Sequence, residues 1–399
     1  MRILNVAQTY FPYLAEGGRP AKVRALSKGL AQRGHQVTVL TVDLGPSNWK
    51  CLGIAHEESA FGFRHSADGV DAVYLSTLLR FRAFTINPYV IGFCRADLRK
   101  FDLVHIYGLY DLLGPTVSHF CRRQGIPYVI EPMGMYRPIV RNIRLKKIYH
   151  ILLGRQLVAG ARFVIATSEQ EKQELIEGGI QKSRVVVRRN GIEFPSELAV
   201  RGEFRRRWSI PEDAKVVLFL GRVVSKKSPD LLIEAFARWR KSSACGGSSV
   251  LVLAGPLEDR SFVSCLRGMA ERLGLGSNVL FAGPLYDTEK WQAFRDADVF
   301  VLPSQNENFG NTAAESAVCG TPVIVTDRCG IAPYVGEAGV VIPYSREALE
   351  QALEKLLGDP KMLRRCQEGC REMTRSLSWD DPLDMSEDLY VRCLSEDGR

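Results

Sequence analysis

Pro303-Ser-Gln-Asn-Glu-Asn-Phe-Gly-Asn-Thr-Ala-Ala-Glu-Ser-Ala-Val-Cys-Gly-Thr-Pro322 lies between two apolar runs, Val299–Leu302 and Val323-Ile-Val-Thr-Asp327. Each run reads as a short buried strand. Gly310 suits a loop that brings backbone close to a ligand. Thr312 and Glu315 have the spacing of a capping box, which predicts a helix opening there and closing at Gly320. The order is strand, loop carrying Glu307, helix N-terminus carrying Glu315, strand. A helix N-terminus offers N–H groups and a positive dipole end to an anion. Two carboxylates suit such a place only if they bind something else, and the vicinal hydroxyls of a sugar or a ribose fit them. The plainer reading has Glu315 capping its helix and Glu307 solvated on the loop.

Outward from this stretch, strand-like and helical runs alternate along the whole chain. A first series comprises Ile3–Ala7, Val37–Val42, Leu103–Tyr107, Tyr128–Ile130, Phe163–Ala166 and Val185–Val187. A second comprises Val216–Leu220, Val250–Ala254, Val279–Phe281, Val299–Leu302, Val323–Thr326 and Val340–Ile342. β-Branched runs separated by helices predict parallel sheets covered on both faces, here in two doubly wound α/β domains. The join is expected between Asn190 and Asp213, where Asn190-Gly191 and Pro195 punctuate the chain and Arg205–Arg207 forms a charge run.

The chain has 399 residues, 46% hydrophobic and 25% charged, the composition of a globular protein of two or three domains. A net charge of +8 favours anionic ligands or surfaces, yet no nucleic-acid-binding signature is present. The ten cysteines form no Cys-x-x-Cys pair and read as reduced thiols, including Cys366 and Cys370 on one helix face. The N-terminus lacks an apolar region of signal-peptide length, and no run is long and uncharged enough to span a membrane. These features predict a cytoplasmic protein, at most peripheral on the inner face of a membrane.

The stretch from Pro303-Ser through Glu307, Phe309-Gly310, Glu315, Cys319-Gly-Thr-Pro-Val and Asp327 resembles the Glu-x7-Glu signature of family 4 retaining glycosyltransferases. That resemblance implies the GT-B architecture, two Rossmann-like domains facing a cleft. The first, residues 1–195, would bind the acceptor, and the second, 196–379, a nucleotide diphosphate sugar, with a terminal helix near 380–399 returning to the first domain. No cofactor beyond the nucleotide sugar is implied. Glu315 would grip the ribose diol and Glu307 the sugar hydroxyls, with Asn308, Phe309, Gly310, Asn311 and Thr312 placing the sugar.

Val217-Leu-Phe-Leu-Gly-Arg222-Val-Val-Ser-Lys-Lys227-Ser-Pro is similar to the family's Gly-Arg…Lys-Gly loop. Arg222 and Lys227 would neutralise charge on the departing diphosphate. Taken alone, the pair is a solvated basic turn, and Ser228 replaces the family's usual glycine. Leu285 ends the Ala282-Gly-Pro loop expected to meet the base. Gly17 and Gly18 precede a helix and look like the family's glycine-rich donor loop, although the full Gly-x-Gly-x-x-Gly fingerprint is missing. On the acceptor side stand His105, which reads equally as a core histidine, and Met133, where many members carry histidine. Met133 can neither carry charge nor hydrogen-bond strongly, so a side-chain base is not expected there. Asp296-Ala-Asp298 has the form of a metal site but lies at the entry to a buried strand, so it reads as structural and no metal is expected.

Two rival classes are weighed: a catalytically idle sugar-nucleotide sensor, and a nucleotide-sugar epimerase or dehydrogenase. The first is disfavoured because Arg222, Lys227, Glu307 and Glu315 are all present; the second lacks its glycine loop and Tyr-x-x-x-Lys pair.

Between Glu131 and Glu169 there is no acidic residue, yet Arg137, Arg141, Arg144, Lys146, Lys147, Arg155 and Arg162 fall there. Ile143, Ile148, Ile151 and Leu152 add apolar surface. A second acid-free interval, Ala72–Ala96, contributes Arg80, Arg82, Phe81 and Phe84. This composition suits a saccharide acceptor carried on a lipid at an anionic membrane surface. The alternative is a basic solvated face balanced by acids elsewhere, or a soluble acceptor.

Overall fold

A computed structural model describes residues 1–13, 18–44, 54–81, 84–136, 143–195, 197–242 and 247–395. The chain forms two compact units. The first comprises Met1–Asn190 with Trp379–Arg399, and the second Gly191–Ser378. The join thus falls at Asn190/Gly191, at the start of the interval in which it is expected and a few residues before the boundary at 195/196.

In the first unit the strands are β1 (Arg2–Ala7), β2 (Gln36–Val42), β3 (Glu57–Ser59), β4 (Gly62–Ala67), β5 (Val70–Leu75), β6 (Leu79–Phe81), β7 (Phe84–Ile86), β8 (Leu103–Tyr107), β9 (Tyr128–Glu131), β10 (Phe163–Ala166) and β11 (Val185–Val187). Nine of them make one sheet in the order β11-β10-β9-β8-β1-β2-β5-β4-β3, while β6 and β7 pair as a separate hairpin. From β11 to β5 the neighbours are parallel, but β4 runs antiparallel to β5 and β3 to β4. The wholly parallel sheet expected from the sequence therefore gains an antiparallel edge. Exposed, polar β4 residues such as Arg64 and Ser66 hide that strand from a search for apolar runs.

The second unit has β12 (Lys215–Leu220), β13 (Ser249–Ala254), β14 (Val279–Gly283), β15 (Val299–Leu302), β16 (Val323–Thr326) and β17 (Gly339–Ile342). They form one parallel sheet in the order β14-β13-β12-β15-β16-β17. Both faces are covered by helices. Val216, Leu218 and Leu220 of β12 enter one core, whereas Val217 and Phe219 enter the other. That alternation is the two-residue period of a strand with apolar layers above and below. β1 repeats it, with Leu4 and Val6 on one face and Ile3 and Ala7 on the other.

Each sheet reverses its winding once, between β1 and β8 in the first unit and between β12 and β15 in the second. In such sheets ligands bind beyond the carboxyl ends of the strands at this reversal. The terminal helix, Asp380–Ser395, joins the first unit by packing Leu383 onto Gly29 and pairing Asp384 and Glu387 with Arg33. Among the described residues no helix is long and apolar enough to cross a membrane, and all eight described cysteines are free thiols.

Candidate functional site

β12 and β15 lie side by side with Val217 opposite Val299 and Leu218 opposite Phe300. Their carboxyl ends release two loops. The first runs from Gly221 through a 3-10 turn at Ser225–Lys227 into the helix Pro229–Ser242. The second runs from Pro303 to Gly310. The Gln305 amide donates to the Lys226 carbonyl at 3.0 Å, tying the loops together. Glu307 is held from behind by backbone: its amide donates to the Arg328 carbonyl at 3.0 Å and its carbonyl accepts from the Gly330 amide at 2.9 Å. The Ile331 amide adds a bond to the Phe309 carbonyl at 2.7 Å. A loop carrying a short parallel ladder cannot swing freely, so the Glu307 side chain starts from a fixed point.

Lys227 reaches across and forms an ion pair with Glu307. Burial is the main reason that Lys227 is pushed down to about 7; Lys226 and Arg222 push the same way and Cys329 opposes them. The Glu307 carboxylate also favours the ammonium form. Arg222 is exposed beside this pair. Opposite charges are therefore concentrated where the winding reverses, with one further cation open to a ligand.

Ser228, where the family resemblance would place glycine, has φ +51°, the left-handed region that glycine enters at least cost. The serine is fully buried, with its hydroxyl 2.9 Å from the Tyr344 hydroxyl. Tyr344 also accepts from Gln305 Nε2 at 3.0 Å and lies under the Arg328 guanidinium, 4.7 Å from its ring centre. Tyr344 ties the two loops together and is not suggested by sequence spacing.

The expected capping box does not form. The helix spans Asn311–Val318, with Gly310 as its N-cap at φ +112° and no side-chain cap. A Cβ at Gly310 would meet Ile331 Cγ2 at 3.0 Å, so both conformation and space call for glycine. Glu315 is thereby released from capping, and its Oε1 accepts from Lys290 Nζ at 2.9 Å. Lys290 also lies 4.5 Å from the Trp291 ring centre. Phe309 is buried against Tyr334, whereas Asn308, Asn311 and Thr312 are half-buried around the helix start. Leu285 is buried in the core, which withdraws its side chain from any ligand. Next to it, the Gly255 amide donates to the Gly283 carbonyl at 2.7 Å, and a Cβ at Gly255 would fall 1.9 Å from the Gly221 carbonyl oxygen.

Asp296 accepts from the backbone amides of Gly202 and Arg205. Asp298 accepts from the Val216 amide at 2.8 Å and from Arg205 Nη2 at 3.0 Å. Both carboxylates are buried and committed to fixing the segment that enters β12.

In the first unit Gly18 opens the helix Gly18–Gln32, and Gly17 lies outside the described residues. His105 is fully buried, with Nδ1 2.6 Å from the Tyr390 hydroxyl and its ring stacked on Tyr107. Burial, reinforced by Arg188 and Lys22, holds it well below the usual histidine range, so it is neutral. It is a core histidine, and the acceptor-side alternative does not fit this placement. Beside it, Glu131 takes Lys22 and Arg188 in ion pairs within the core. Met133 follows β9 with φ +57°, and its side chain packs against the core that contains Tyr10 and Tyr107.

The profile described as "Glycosyl transferases group 1" matches residues 200–373, and that described as "Glycosyl transferase 4-like domain" matches 17–191. A D-inositol 3-phosphate glycosyltransferase from Thermomonospora curvata is 30% identical over 94% of this chain and 90% of its own. Among solved structures, a sucrose-phosphate synthase from Thermosynechococcus elongatus superposes over 100% of both chains with TM-score 0.74 and 21% identity. Anabaena Alr3699/HepE in complex with UDP-glucose covers 99% of this chain and 100% of its own, with TM-score 0.71 and 17% identity. With the profiles spanning both units and the Glu-x7-Glu pair at the reversal of the second sheet, the chain belongs to the family 4 glycosyltransferases of GT-B fold.

Proposed function

We propose that this glycosyltransferase moves a sugar from a nucleotide diphosphate donor to a hydroxyl of a lipid-linked saccharide, keeping the anomeric configuration and using no metal. The observation that carries the donor half is the junction of Lys227, Arg222 and Glu307 at the reversal between β12 and β15. Arg222 and Lys227 take the diphosphate and stabilise its charge as the bond to the anomeric carbon breaks. Glu307 holds sugar hydroxyls, Glu315 takes the ribose diol, and the backbone of Asn308–Gly310 places the sugar. The first unit takes the acceptor. With Met133 in place of a titratable side chain, the departing phosphate oxygen receives the acceptor's proton while the acceptor oxygen bonds to the anomeric carbon from the same face. The enzyme then serves polysaccharide synthesis at the inner face of the membrane.

A relative's name supports a second reading, a soluble phosphorylated acceptor, since it specifies inositol 3-phosphate. A panel of nucleotide sugars, assayed for released nucleotide with and without lipid extract or sugar phosphates, separates the two. Release only with soluble phosphates would exclude the lipid-linked acceptor.

A further inference from the structure

The helix Ile143–Tyr149 continues through a π-helical turn at His150–Gly154 into the helix Arg155–Ala159. Its inner side is fixed to the segments that leave β8 and β9. The Tyr149 hydroxyl donates to the Asp111 carbonyl at 2.6 Å, Lys146 lies 5.2 Å from the Tyr110 ring centre, and His150 meets Tyr136 edge-on at 4.9 Å. What remains outside is apolar and basic. Leu145, Ile148, Ile151 and Leu152 are between 53% and 66% exposed, flanked by exposed Arg144, Lys147 and Arg155. The polar anchors face inward and the large aliphatic residues face outward, the reverse of an ordinary surface helix.

The β6–β7 hairpin repeats this composition beside the carboxyl ends of β1 and β2. Arg80 donates to the Leu44 carbonyl at 2.8 Å, and Gln8 to the Thr85 hydroxyl at 3.4 Å. Leu78, Leu79, Phe84 and Ile86 are exposed there. Since β1 lies between β2 and β8, the helix and hairpin both stand at the carboxyl end of the same part of the sheet. Exposed apolar groups in such concentration mark an interaction surface. Neither interval, 132–168 nor 72–96, contains an acidic residue.

We infer that this apolar and basic end of the first unit is a docking surface for an anionic phospholipid membrane, a proposal that rests on the lipid-linked reading of the acceptor. Charge complementarity selects the occupant. A symmetric pairing of two copies would bring like basic groups together, whereas an anionic bilayer accepts the aliphatic side chains and satisfies the cations. Arg137, Arg141 and Arg82, which the sequence adds to the same two intervals, lie outside the described residues.

The test is flotation of the full chain with vesicles of phosphatidylcholine containing about one-third phosphatidylglycerol, at roughly physiological salt. Wild type should float, and neutral phosphatidylcholine should leave it in solution. Arg144→Gln with Lys147→Gln should weaken binding about fivefold per charge removed. Ile148→Ser with Leu152→Ser should weaken it at least about tenfold with an unchanged thermal midpoint, because these side chains are exposed. Wild type that ignores anionic vesicles, or a serine variant that floats as well as wild type, overturns the proposal. So does a dimer in sedimentation that the serine variant dissolves. Flotation without sugar transfer to any lipid would leave the docking surface standing and defeat the lipid-acceptor reading.

Discussion

Lys290 Nζ lies 2.9 Å from Glu315 Oε1, so the carboxylate proposed to take a ribose diol shares one oxygen with a neighbouring cation. Lys290 can therefore orient Glu315 without touching the nucleotide. Glu315→Ala and Arg222→Ala should each weaken nucleoside diphosphate binding by about 1.5–3 kcal/mol, the worth of a charged hydrogen-bonding partner. Lys290→Met should cost about 0.2–1 kcal/mol, because the pair is partly exposed. Calorimetry measures all three. A Lys290→Met loss equal to that of Glu315→Ala would place Lys290 on the ligand itself.

Glu307→Ala should mainly lower turnover, since its proposed partner is the transferred sugar and not the nucleotide. The measurement is kcat alongside the dissociation constant of the nucleoside diphosphate. An equal loss of diphosphate affinity in the Glu307 and Glu315 variants contradicts this division.

Lys227 gives the site a pH dependence. Burial pushes it down to about 7, so above that pH the neutral amine gains population. A diphosphate favours the ammonium and raises this pKa on binding. Binding above pH 7 should then take up a proton, and affinity should fall as pH rises through 7. Calorimetry in buffers of different ionisation enthalpy reads the uptake directly, and Lys227→Met should abolish it. No uptake at pH 8 would mean that Glu307 alone keeps the ammonium charged.

Ser228 combines a left-handed backbone with a buried hydroxyl bonded to Tyr344. Ser228→Ala loses the hydrogen bond and keeps the strain, whereas Ser228→Gly loses the bond and relieves it. The glycine variant should be about 1 kcal/mol more stable than the alanine variant in denaturant unfolding. Equal stability of the two would remove the backbone argument.

Asp298 holds Arg205 and the Val216 amide within the second unit. Asp298→Ala should destabilise that unit by about 3 kcal/mol, because it leaves a buried guanidinium without its carboxylate. Activity should survive chelation by EDTA. Loss with chelator and recovery with magnesium or manganese would return the Asp296/Asp298 pair to a metal-binding role.

The sequence was most legible where one local rule acted alone. β10, β11 and β15 are continuous apolar runs, β8 and β16 carry one polar residue each (His105 and Thr326), and all five agree with the expected strands. Local signals mislead where two rules compete. Thr312 and Glu315 have capping-box spacing, but Gly310 can take φ +112° and caps the helix two residues before Thr312. Resemblance singles out Arg222, Lys227, Glu307 and Glu315, and the loops bring Lys227 to Glu307, whereas nothing in the sequence singles out Lys290 and Tyr344. Their partners are distant in sequence, and only the packing of loops from different strands brings them near. The buried Glu131–Arg188 pair is hidden for the same reason, although each residue looks like an ordinary surface charge in the chain.

The return of the terminal helix to the first unit sets an order in time. Tyr390 closes over His105, Ser386 accepts from Arg188 and Glu387 takes Arg33, so part of the first unit's interior is supplied by the helix Asp380–Ser395. Domains emerging from a ribosome fold as their residues become available. Here the second unit, Gly191–Ser378, is complete before Asp380–Ser395 has been synthesised. The unit begun first is therefore completed after the second, and Arg188 and Arg33 wait for the residues of Asp380–Ser395.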